Sequence, residues 1–131
     1  MKAINPESLG EPKGYANGML APAGGRLLFV AGQVGWGPGK RMVAGGFLPQ
    51  FEQALRNVVA VVEAAGGKPG DIGRLILYVT DKREYLDKIR VVGDVYRRIM
   101  GRHFPAMALL EVKALVDEDA RVEIEATAVI P

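Results

Sequence analysis

Cysteine is absent from this chain of 131 residues. Disulfides, thiol nucleophiles, iron–sulfur clusters and cysteine-built zinc sites are thereby excluded. Histidine occurs once, as His103, which excludes a His-rich metal site and the paired-histidine helix of a metalloprotease. No metal and no cofactor is expected. Long hydrophobic runs are also missing. The longest, LLFVA and VVAVV, fall far short of the ~20 residues that cross a bilayer, so no membrane partner is expected. No charged segment leading into an apolar one opens the chain, which reads as cytoplasmic. Charge of one sign is lacking too: 17 Lys and Arg stand against 15 Asp and Glu. A nucleic-acid partner would ask for a basic face. The densest basic group, Arg97, Arg98, Arg102 and His103, surrounds the end of an expected helix, where cations complement the macrodipole.

What is present is a globular composition, with 49% hydrophobic and 24% charged residues. A chain of 14.1 kDa folds to about 6,700 Å² of surface from about 20,000 Å² unfolded, enough for a core without staples. One domain is expected over residues 1–131, beginning with an irregular arm over 1–14. Strands are expected at 15–21 and 26–32, with a glycine-rich loop at 35–46 that holds one short strand around Met42–Ala44. The spacing of Phe51, Ala54, Leu55, Val58, Val61, Val62 and Ala65 predicts a helix over 47–65, stopped by Gly66-Gly67. Residues 74–80 read as a strand, and Asp81 with Glu84 resembles a capping box. Tyr85, Ile89, Val92, Tyr96 and Ile99 then form one helical stripe. A strand over 106–113 follows. In the last strand Val122, Ile124, Ala126, Ala128 and Ile130 alternate with Arg121, Glu123, Glu125 and Thr127. The strands at 26–32 and 74–80 are apolar on both faces, which asks for cover on both. The order predicts a mixed sheet with two helices on one face.

Three segments invite a chemical reading. GWGPGKR resembles a phosphate loop, but Val34 and Arg41 stand where that pattern needs Gly and Ser or Thr. It reads instead as a flexible connection, whose Trp36 could cover a small-molecule cleft or bury its ring at a subunit contact. Glu123 and Glu125 share one strand face, roughly 7 Å apart. Such a pair could do acid–base work, or could sit in ion pairs with Arg121, Lys113 or a partner chain. The run Asp117, Glu118, Asp119 reads as a solvated turn.

GYANG, LLFVAGQV, FEQALRNVVAVVEAAG, LILYVTD, FPAMALLEV and VEIEATAV, in this order, resemble the RidA/YjgF (Rid) family of imine and enamine deaminases, also named endoribonuclease L-PSP. The resemblance runs from Tyr15 to Ile130. It implies an α+β, chorismate-mutase-like (YjgF-like) mixed sheet with two helices packed on one face, assembled as a homotrimer with ligand clefts between subunits. It implies catalytic roles for Glu123, in water activation, and for Tyr15. Ala31, Gly32, Trp36, Gly93, Met107 and Leu109 would bind substrate. The chain departs from the family at this site. Met107 stands where the deaminases carry the arginine that clamps a carboxylate, Ala31 where they carry serine, and Gly93 where many carry asparagine. A thioether is an uncharged, weak acceptor, so the cleft is expected to prefer a neutral or apolar ligand unless Arg26, Arg102 or His103 reaches in. Three functions follow: a divergent small-molecule hydrolase, a non-catalytic trimer binding a ligand or partner protein in the same clefts, and an endoribonuclease. For the last the sequence offers no histidine pair, basic stripe or aromatic platform.

Overall fold

The alternation read in the last strand is fully realised. In the computed structural model, which describes residues 1–131, Val122–Ile130 is a nine-residue strand whose residues are buried and half-buried in strict turn. We number the strands β1 (Lys2–Ile4), β2 (Gly18–Leu20), β3 (Arg26–Gln33), β4 (Trp36–Gly37), β5 (Arg41–Met42), β6 (Ile72–Val79), β7 (Ala106–Glu111) and β8 (Val122–Ile130), and the helices α1 (Phe47–Ala64), α2 (Lys82–Asp87) and α3 (Ile89–Met100). The main sheet runs β3-β8-β6-β7. β8 is antiparallel to both neighbours, and β6 pairs with β7 in parallel. Two helical crossovers, β3–α1–β6 and β6–α2–α3–β7, cover one face of this mixed sheet.

The core forms where that face meets the helices. Phe47, Phe51, Leu55, Val58 and Val62 descend along α1 onto Leu75, Ile124, Ala126 and Ile130. α3 adds Val92, Val95, Tyr96 and Met100. The opposite face of the sheet is open. There Leu27 and Phe29 on β3 are 58% and 75% exposed, beside Arg74, Ile76 and Tyr78 on β6 and Glu123, Glu125 and Thr127 on β8. The isolated chain exposes 7949 Å², well above the ~6,700 Å² expected for a monomer of this mass. No helix is long and apolar enough to cross a membrane.

Several expectations need correction. Residues 1–14 are not wholly irregular: Lys2–Ile4 pairs antiparallel with Gly18–Leu20, Ala3 opposite Met19. A three-residue strand of exposed residues has no alternation to announce it, because neither face meets the core. The first of the expected strands is correspondingly shorter, with Ala16 forming only an isolated bridge to Ala106. The second helix is two. Lys88 leaves the helical region at φ −117° and ψ 22°, so three helices cover the sheet where two were expected. The capping box at Asp81 is half-made. Asp81 accepts from the Arg83 N–H, but the Glu84 carboxylate pairs with Arg121 at 2.9 Å. The short strand within the glycine-rich loop is Arg41–Met42, one step earlier than read, and it pairs with Trp36–Gly37.

One polar group lies inside the core boundary. Gln50, on the first turn of α1, is only 3% exposed. Its Nε2 donates to the Asp119 carbonyl (3.0 Å) and its Oε1 accepts from the Arg121 N–H (2.8 Å). A buried amide with both ends satisfied fixes its partners in place, and losing it leaves two backbone groups unpaired. Gln50→Ala is expected to lower the unfolding free energy by about 2–3 kcal/mol, read as a reduced urea midpoint at unchanged slope. Arg56→Ala, which breaks only the exposed pair with Glu52, is expected to cost under about 0.5 kcal/mol.

Candidate functional site

The candidate residues gather at two places, on opposite faces of the sheet. The first hollow lies on the open face. The AGQ segment makes its floor: between Val30, opposite Ala126, and Gln33, opposite Ile124, β3 holds one residue more than β8. Ala31 and Gly32 therefore form a bulge, the kind of irregularity that re-aims side chains near sites. Gln33 Nε2 donates to the Ala31 carbonyl at 3.0 Å and secures it. The Glu123 side chain lies directly on the Gly32 α-carbon, where a Cβ would stand 2.2 Å from its Oε1. Any larger residue at 32 displaces that carboxylate.

The wall of this hollow is Trp36. Its Nε1 donates to Asp117 Oδ2 (2.9 Å), whose Oδ1 accepts from the Asp119 N–H (2.9 Å). Lys40 Nζ stands 5.7 Å from the Trp36 ring centroid, within cation–π range. From beneath, Asn57 Nδ2 on α1 donates to the Val34 and Trp36 carbonyls at 3.1 and 2.9 Å, while Gln53 holds the Asn57 oxygen. Gly32, Trp36, Lys40, Val116, Asp117 and Glu123 bound a cavity of about 580 Å³.

The two glutamates of the last strand have separated roles. Tyr78 donates its hydroxyl to Glu125 Oε1 at 2.6 Å. That hydrogen bond, then desolvation, raises the Tyr78 phenol above the ordinary tyrosine value. Glu123 has no such partner, and neither glutamate joins an ion pair within the chain. Of the two counter-ions this chain offered them, Arg121 is engaged by Glu84 and Lys113 pairs with neither.

The second place is a cleft of about 420 Å³ under α3, on the helix-covered face. Met107 and Leu109 reach it from β7, in register with Leu75 and Leu77. Tyr85, Gly93 and Phe104 line it from the helical side and Tyr15 from the edge. Tyr15 is carried there by its neighbour, since the Ala16 N–H donates to the Pro105 carbonyl at 3.0 Å. At the back, Tyr96 stacks on Phe104 with ring centroids 5.5 Å apart and donates to the His103 carbonyl at 2.7 Å. Burial drives the Tyr96 phenol far above its ordinary value.

None of the three cations named as the exception to an apolar cleft, Arg26, Arg102 and His103, lines it. Arg26 Nη2 donates to the Ala65 carbonyl. Arg102 and His103 border a separate hollow with Met1 and Glu11, and His103 Nε2 lies 2.6 Å from the Ile72 carbonyl. The cations that do line it are Arg97 and Lys13. Arg97 was legible in sequence only as a charge in the last turn of a helix. Gln50, Asn57 and Asp117 were missed as well. Gln50, Gln53 and Asn57 recur at helical spacing on a helix otherwise read for its apolar stripe, and that recurrence was the available signal. Asp117 is no free turn residue, because it holds the Trp36 indole.

The chain can now be set beside known proteins. A family profile described as endoribonuclease L-PSP matches residues 11–130. The 2-iminobutanoate/2-iminopropanoate deaminase of Salmonella typhimurium is 37% identical over 108 residues, covering 80% of each chain. The human protein of the same description is 30% identical, over 79% of this chain and 73% of its own length. Among solved structures, a Yersinia pestis protein of unknown function in the conserved Rid family superposes with a TM-score of 0.85 at 32% identity, covering 98% of both. Escherichia coli TdcF with bound serine superposes at 0.68 and 29% identity, over 93% of this chain and 92% of that one.

The buried phenol gives this region a pH signature. Tyr96 has a folded-state pKa above its unfolded value, so its contribution to stability is complete below about pH 10 and is lost as pH rises from there through the folded value. Ultraviolet titration is expected to show Tyr96 ionising only as the fold opens. Tyr96→Phe is expected to remove one late-ionising phenol and flatten the alkaline loss of stability. An unchanged alkaline titration curve in that variant would contradict the assignment.

Proposed function

The chain belongs to the RidA/YjgF family, and we propose that it is a divergent small-molecule hydrolase acting on an imine or enamine in clefts between the subunits of a homotrimer. One observation carries this reading: Glu123 is a half-buried carboxylate laid on Gly32 beside Trp36, in none of the chain's ion pairs. Such a carboxylate can take a proton from water as the water oxygen adds to the C=N carbon. The proton passes to the nitrogen to give a carbinolamine, the carbinolamine hydroxyl then loses its proton to the same nitrogen, ammonia leaves, and a carbonyl remains. An enamine reaches the same intermediate after tautomerising to the imine.

The inter-subunit part rests on the sheet. Met107 faces the helices and Glu123 faces away from them, so one chain does not bring them together. A second copy, laying its Met107 edge against this chain's open face, would complete the site. The uncovered Leu27 and Phe29 support such a contact, and burying a face of that kind is what assembly of identical subunits does. Tyr15, Gly93, Met107 and Leu109 would then come from one subunit and Ala31, Gly32, Trp36 and Glu123 from the next. The Salmonella and human relatives are named for small imino acids. Here the group meeting Met107 and Leu109 is apolar, because no charge stands at 107 to hold a carboxylate there.

A second reading, a trimer that binds a ligand without turning it over, is favoured by the substitutions at Ala31, Gly93 and Met107. An endoribonuclease reading carries less. Arg56, Arg83, Arg97 and Arg121 are each paired with a carboxylate of the same chain, not gathered on a basic face.

The test is to generate imines in situ with an amino-acid oxidase or dehydratase and follow 2-oxo acid release. Acceleration is expected for imines with bulky apolar side chains and is negligible for 2-iminobutanoate and 2-iminopropanoate, with Met107→Arg gaining part of the activity on these two. Glu123→Gln is expected to lower turnover roughly a hundredfold at unchanged melting temperature, and Gly32→Ala to do the same in milder form. Full turnover in Glu123→Gln would overturn the mechanism. Ligand binding without any turnover in the native protein would select the second reading. In sedimentation, a stable monomer of 14.1 kDa at micromolar concentration would contradict the trimer.

A further inference from the structure

The cleft under α3 is apolar over most of its wall, yet a guanidinium belongs to it. The way α3 presents that group is unusual. Gly93 lies within α3, one turn before Arg97, where a glycine destabilises a helix relative to alanine. Its phi is not positive and no neighbouring backbone presses on it, so neither a turn nor a close helix contact requires it. What a side chain at 93 would meet is Arg97. A Cβ there would stand 3.3 Å from Nη1 and 3.7 Å from Nη2. The missing side chain lets the guanidinium lie along the helix backbone at the cleft. Asp94 takes Nη2 at 2.5 Å, while Nη1 has no hydrogen-bond partner.

We propose that Arg97, presented by Gly93, is the anion-binding and specificity-determining residue of this cleft. The ligand is then an amphipathic carboxylate. Its apolar body lies against Met107, Leu109 and Tyr85, and its carboxylate meets the planar fork of Arg97, whose donors match such a group. Lys13, which also lines the cleft, adds a second positive charge. Asp94 competes with the ligand for the guanidinium. The inference rests on the reading that this cleft receives the substrate, and it names the class: imino acids with bulky apolar side chains, anchored from α3 and not from β7.

The probes are hydrocinnamate and its neutral amide, which share an apolar body and differ in charge. Binding is measured by calorimetry on the full chain, with circular dichroism confirming that each variant is folded. The native protein is expected to prefer the acid. Arg97→Gln weakens acid binding roughly ten- to hundredfold and leaves the amide unchanged. Asp94→Asn strengthens acid binding. Gly93→Ala pushes the guanidinium aside, so it raises the melting temperature while weakening the acid, a combination that a purely structural glycine would not give. The proposal is overturned if the native protein does not bind hydrocinnamate, if Arg97→Gln binds it normally, or if acid and amide lose affinity equally in that variant. Because binding is read without turnover, the outcomes separate. Charge-selective binding with no imine hydrolysis defeats the hydrolase reading alone, whereas hydrolysis with native kcat/KM in Arg97→Gln defeats this one alone.

Discussion

Side chains along a strand point alternately to the two faces of its sheet, and every functional statement about this protein depends on that constraint. In β8 the core takes Val122, Ile124, Ala126 and Ala128, which sends Glu123 and Glu125 to the open face. In β7 the register that sets Met107 opposite Leu75 sends Met107 toward the helices. The Glu123 hollow and the α3 cleft are thus separated by the thickness of one sheet. A one-residue slip in either strand would exchange the faces and expose the core, so the buried partners of these strands also fix where the chemistry can stand. The proposed assembly follows from the same geometry, since two halves on opposite faces meet only when a second copy is laid beside the first.

Within the open-face hollow, placement is achieved by a few polar groups on α1. Gln50 ties down the backbone at Asp119 and Arg121 just ahead of β8. Asn57, seven residues on, ties down Val34 and Trp36 just beyond the β3 bulge. The two segments so held then join each other through the Trp36–Asp117 hydrogen bond. One face of one helix therefore sets the walls around Glu123. A buried amide such as Gln50 is expensive to leave unpaired, and here both amides are paired with backbone of the segments that flank the main sheet. The bulge at Ala31–Gly32 completes the arrangement by supplying the one α-carbon on which the carboxylate can rest.

Elements with a face against the core were legible in the sequence, because burial writes a period into it. β8, α1 and the two-faced apolar strands β3 and β6 were all readable in this way, whereas Tyr15, Met107 and Leu109, which line one cleft, were named as site residues by the family resemblance and by no period. β1 was not legible, since its three residues are all exposed and carry no period. The break at Lys88 was hidden because Tyr85, Ile89 and Val92 keep helical spacing across it. Arg97 was read as a dipole partner, a role its position also satisfies. Only the space left by Gly93 shows where its guanidinium lies. Asp117 and Gln50 are bound to residues 81 and 71 positions away in the chain, and no local pattern reports such pairings.

The central claim is that a working site takes its two halves from different copies of the chain, and subunit complementation tests it most directly. One variant, Glu123→Gln, disables the open-face half. A second, Gly93→Phe, fills the α3 cleft and disables the other. Each alone should be inactive on imines of apolar amino acids. Unfolding and refolding the two together in equal amounts should yield mixed trimers in which about a quarter of the sites combine two intact halves, with activity to match. Mixed trimers that form, as shown by a mass tag on one variant, yet recover no activity would contradict the account.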